Sequence, residues 1–124
     1  MIRTVTYMEF LKMYEEAMTY EGVGLFVAER GWEDWMDELG EDGAGEISSI
    51  LQTIFEVSRM NFLGMASALG TTRSNLAAAY GIPVRTTENW DREESGTLGY
   101  IKPLLAYTVA GELLSRRDES EIAE

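Results

Sequence analysis

Leu69–Trp90 reads LGTTRSNLAAAYGIPVRTTENW, and its reading decides the fold. Thr72 predicts a helix start, because its hydroxyl can accept from the otherwise orphan N–H groups of a first turn. Asn75 stands where a capping-box Glu or Gln would, so the box is imperfect. The helix then runs Arg73–Tyr80, with Leu76, Ala77 and Tyr80 on one face and Ala77 small enough for a second helix to cross closely. Gly81 supplies a residue that tolerates positive φ after the helix end. Pro83 biases Ile82 away from the α region and suits a helix start, where its missing N–H costs nothing. A second helix over Val84–Arg92 turns Thr87 and Trp90 inward and Val84, Arg85, Glu88 and Asn89 outward.

Two short helices, a tight Gly-Ile-Pro turn and an inward tryptophan resemble the helix-turn-helix of phage-repressor-like regulators, the Cro/repressor superfamily. More closely, YGIPVRTTENWD with LLAY downstream is similar to a group of small mobile-element proteins of Gram-positive bacteria. The similarity covers Phe62 to Val109. It departs after the tryptophan, where Glu93 replaces a Gly of the pattern, Ser95 an Arg, and Thr97-Leu98 a Pro-Pro pair. The resemblance implies a DNA-binding unit whose second helix reads bases and whose following loop approaches the DNA backbone. By position, Val84, Arg85 and Asn89 fall where that family reads bases.

The residue chemistry fits that assignment. Arg85 and Asn89 lie four apart and so share a helix face. In a major groove, Arg pairs bidentately with guanine and Asn with adenine, each worth about 1–3 kcal/mol of discrimination. Val84 can meet a thymine methyl. Arg73 and Ser74, in the first turn after the cap, fit a phosphate contact at a helix N-terminus, and Arg92 fits one from the loop side. Lys102 reads better as a solvated charge, and Trp90 better as core than as a ring that stacks on a base.

The charge sets a competing expectation. The 124 residues carry a net charge of −12, whereas a DNA binder needs a basic face. By region, residues 1–63 hold 4 basic and 13 acidic side chains, residues 64–105 hold 4 and 4, and residues 106–124 hold 2 and 5. The acidity therefore lies outside the motif. It leaves room for an acidic protein-interaction inhibitor that mimics nucleic acid, as small anti-CRISPR proteins do, or for a protein partner on the acidic N-terminal surface.

The chain contains no Cys and no His, which removes disulfides, thiolate metal sites, cysteine nucleophiles and the commonest general base. No nucleophile–base pair is recognisable, so no enzyme and no cofactor is expected. The carboxylates between Glu33 and Glu46 lack the alternating ligands of an EF-hand, and no metal site is expected. Gly22-Val23-Gly24 and Gly43-Ala44-Gly45 lack the strand and third glycine of a dinucleotide loop. With no transmembrane or secretory pattern, a cytoplasmic protein without membrane association is expected. It would act as a homodimer on double-stranded DNA.

The rest of the chain predicts an all-α fold. Thr6-Tyr7-Met8-Glu9 is a capping box opening a helix to about Tyr20, with Tyr7, Phe10, Leu11, Tyr14 and Met18 as its apolar stripe. Leu25–Glu29 and Trp32–Leu39 read as short helices, the latter with Trp32 and Trp35 in the core rather than at an interface. Gly40–Gly45 is a connector. Glu46–Arg59 is a strong helix with Ile47, Ile50, Leu51, Ile54 and Phe55 inward. Asn61 caps Phe62–Leu69. A last helix, Tyr100–Arg116, turns Ile101, Leu104, Leu105, Val109 and Leu113 inward. The expected organisation is an acidic helical segment (residues 1–45), a helix-turn-helix domain (46–116) and a frayed charged tail (117–124).

Overall fold

The computed structural model describes residues 5–29, 34–37, 43–92 and 101–123. All regular structure among them is helical, with no strand. The elements are α1 (Tyr7–Ala17), α2 (Val23–Glu29), α3 (Asp34–Asp37), α4 (Ala44–Ser58), α5 (Phe62–Ala68), α6 (Arg73–Tyr80), α7 (Val84–Arg92) and α8 (Ile101–Ala123). No helix of the described residues is long and apolar enough to cross a membrane.

Helix α4 is the central strut, packed against α1, α2 and α8. Its predicted face is buried in full, and Val57, Thr53 and Ser58 are buried as well, because neighbours approach it from several sides. The two buried hydroxyls are satisfied locally: Thr53 donates to Ser49 O at 2.8 Å and Ser58 to Phe55 O at 2.6 Å, so neither leaves a costly unpaired group.

The Thr6–Glu9 box forms as read, with Glu9 N–H donating to the Thr6 hydroxyl at 3.2 Å and Thr6 N–H to the Glu9 carboxylate at 3.0 Å. The apolar stripe of α1 differs from the expectation. The buried set is Phe10, Met13, Tyr14 and Ala17, while Met18 is 47% exposed. These four follow i, i+3, i+4, i+7, centred on the face that α4 and α8 share, and Met18 lies beyond the last turn as its cap. Tyr107 of α8 closes this region. Its ring meets Tyr7 edge-on at 5.4 Å and Phe10 at 5.1 Å, and its hydroxyl donates to Val5 O at 2.9 Å. Burial pushes the Tyr14 hydroxyl up to about 12 and also raises Tyr7 and Tyr107.

Arg59, just past α4, holds the end of α1. Its guanidinium donates to Ala17 O at 3.0 Å and to Tyr20 O, and lies 3.9 Å above the Phe55 ring. One apolar cluster then runs from Val5 through Trp35 and Ile54 to Ala110. Residues on both sides of position 45 share that core, so the glycine connector does not separate two cores. Trp35 is buried as read; Trp32 and residues 40–42 lie outside the described residues.

In α8, Leu105, Ala106, Val109 and Ala110 are buried, and Leu104 is 47% exposed rather than inward. The helix continues to Ala123 instead of stopping at Arg116. Nothing in RRDESEIA breaks it, since that segment has neither Gly nor Pro.

Candidate nucleic-acid interface

Helices α5, α6 and α7 pack on one another, and α5 also meets α8. Their ends are set by local chemistry. Asn61 accepts from Gly64 N–H at 2.8 Å and Thr72 from Asn75 N–H at 3.1 Å. At the end of α6, Gly81 takes φ 68° and ψ 30°, and Ile82 N–H reaches back to Ala77 O at 2.9 Å, the closure of a Schellman end. The chain then needs only Ile82 and Pro83 before α7 begins, and Pro83 O accepts from Thr86 N–H at 3.0 Å.

The inward side of α7 is made by Thr87, Trp90 and Asp91, at i, i+3, i+4. Thr87 is fully buried; its hydroxyl donates to Val84 O at 2.7 Å and accepts from Arg73 at 3.2 Å. Trp90 is half-buried, with its ring edge-on to Phe62 at 6.2 Å. The Asp91 carboxylate accepts three donors from two other helices. Phe62 N–H donates to Oδ1 at 2.9 Å, Leu63 N–H to Oδ2 at 3.0 Å, and Arg73 to Oδ2 at 2.9 Å. The side chains of Arg73 and Asp91 are 18% and 11% exposed.

The opposite side of α7 is open. Val84, Arg85 and Asn89 are all exposed, and Arg92 is exposed at the last turn. Ser74 is exposed on the first turn of α6. Arg73 is placed differently from the expectation. Instead of standing free at the N-terminus of α6, its guanidinium reaches across to Thr87 and Asp91, because a carboxylate in a sheltered contact binds it more strongly than solvent does. Lys102 is half-buried in the first turn of α8. Glu93 and Glu94, with the other residues of 93–100, lie outside the described residues.

Sequence reasoning missed Asp91. A signal was available: it sits four residues after the inward Thr87 and next to the inward Trp90, so helical spacing alone turns it toward α5 and α6. Among the described residues no group of three or more acidic side chains is gathered to hold a metal ion. The open face of α7 therefore offers a guanidinium, an amide and an apolar side chain along one helix, with Glu88 half-buried beside them. Comparisons of the chain with family models, with curated proteins and with solved structures found no match.

Proposed function

We propose that this chain is a sequence-specific, double-stranded DNA-binding transcriptional regulator of the helix-turn-helix type, with α7 as the helix that enters the major groove. The observation that carries the reading is the division of α7. Thr87, Trp90 and Asp91 are spent on α5 and α6, and Val84, Arg85 and Asn89 are left exposed together. Arg85 would pair with guanine and Asn89 with adenine, while Ser74 and Arg92 contact phosphates to either side. Arg73 takes no part in phosphate binding on this reading, being held by Asp91. A homodimer on a palindromic site places two such helices about 34–36 Å apart. A phage or mobile element is the proposed source and the cytoplasm the proposed location, both on the strength of the resemblance at Phe62 to Val109.

The net charge of −12 favours a second reading, an acidic inhibitor that presents its N-terminal half to a basic protein in place of nucleic acid. Selection from fragmented genomic DNA at low salt, followed by a salt titration on the selected sequence, separates the two. The regulator reading expects an enriched motif and an affinity that falls steeply with salt. Binding that is blind to sequence, or none at all, overturns it.

A further inference from the structure

We propose that Asp91 is the positioning residue of the α7 reading face: a single carboxylate fixes the angle at which Arg85 and Asn89 are presented. The inference rests on the DNA-binding proposal above and names how that site is held. Helix α7 has nine residues and a short inward stripe of Thr87, Trp90 and Asp91, so few contacts set its roll about its own axis. Thr87 lies near its middle and constrains one point. Asp91, one turn further on, constrains a second, and it does so toward two helices at once: the first two N–H groups of α5 and the guanidinium of α6.

Those three donors belong to two helices other than α7, so a roll or slide of α7 would stretch at least one of the bonds. Arg85 and Asn89 lie six and two residues before Asp91 on the same rigid helix, so any roll is transmitted to both. The bond to Thr87 makes Arg73 the second half of the device, because one guanidinium spans the two fixed points of α7 at 3.2 Å and 2.9 Å.

Asp91→Asn tests this with little change of shape. Its amide nitrogen can only donate, so it faces either Phe62 N–H, with one bond lost, or Leu63 N–H and Arg73 together, with two lost. The readout is the ratio of affinities for the selected site and for its single-base variants. This ratio does not depend on the fraction of protein that is folded. The expected result is a fall of about tenfold or more in that ratio at the base pairs assigned to both Arg85 and Asn89. The slope of affinity against salt stays as in the wild type, because no phosphate contact is removed. Arg73→Gln should give the same pattern, and the double variant no more than the worse single one, since the two act as a unit.

A loss of affinity with an unchanged ratio would mean that Asp91 only stabilises the fold, and would overturn the proposal. If the wild type selects no DNA, the functional reading fails by itself. The positioning role is then decided by residual dipolar couplings of α5 and α7 in the wild type and Asp91→Asn. A changed angle between the helices supports it, and an unchanged one refutes it.

Discussion

Replacing Arg59 by Met should unlatch α1 from α4 without emptying the core. The Met stem can still lie on Phe55, while the donors to Ala17 O and Tyr20 O disappear. A bond from a charged donor contributes about 1.5–3 kcal/mol, and contact with solvent places these two at the low end of that range. The ring contact adds about 0.5–1 kcal/mol, and the ordering of a long side chain, about 1–2 kcal/mol, offsets part of the total. The net expectation for Arg59→Met is a loss of about 1.5–3 kcal/mol. Lys keeps the charge above Phe55 but cannot span both carbonyls with a planar fork, so Arg59→Lys should lose about half as much. Urea denaturation followed by far-ultraviolet circular dichroism measures both. A Met variant within about 0.5 kcal/mol of the wild type, or a Lys variant indistinguishable from it, would show that the fork between α1 and α4 does not hold them together.

Trp90→Ala should cost about 2–4 kcal/mol, somewhat below the usual figure for a fully buried aromatic, because its ring is half-buried against Phe62; a melting temperature that hardly moves would make Trp90 a surface contact. Gly81→Ala should cost about 1–2 kcal/mol from the backbone alone, since φ is +68° and open space surrounds the added Cβ. Tyr14 links folding to alkaline pH. Its hydroxyl is pushed up to about 12 by burial, so the folded state keeps a proton that the unfolded chain releases near 10. Its contribution is present below pH 10 and lost as pH rises toward 12, and Tyr14→Phe should flatten that part of the stability profile. Arg85→Ala should weaken binding to the selected DNA by about 5–100-fold and relax preference at one base pair, read by competition with single-base variants.

Helices α6 and α7 were legible to the residue, because their limits are written in local chemistry: the Thr72 hydroxyl, the Gly81 backbone and the Pro83 ring each act within one turn. The capping box of α1 was legible for the same reason. What escaped the sequence lay across space. Periodicity runs the stripe of α1 on to Met18, because it gives the spacing of a face but not where the helix stops. Leu104 reads as inward on equal grounds, but α8 exposes it while burying Leu105 as read and Ala106 beside it. Arg73 reads as a free cation from its cap position, and only the fold reveals a carboxylate 18 residues away. Arg59 gave no sequence signal for the carbonyls that it binds, of which Ala17 O lies 42 residues back.

The seven residues of α5 are too few to persist as an isolated helix, and both of its ends are held by parts of the chain made later. Asp91 takes the first N–H groups, and Arg116 donates to Leu69 O at 2.7 Å past the last turn. During synthesis, then, the caps of α6 can form as its residues appear, whereas α5 waits for residue 91 near the end of α7 and is completed only at residue 116. The core around Tyr107 waits as well, since that side chain bonds across 102 residues to Val5. A nascent chain stalled before α8 would hold α5, α6 and α7 through Asp91 and Arg73 but lack the Arg116 bond that closes the far end of α5.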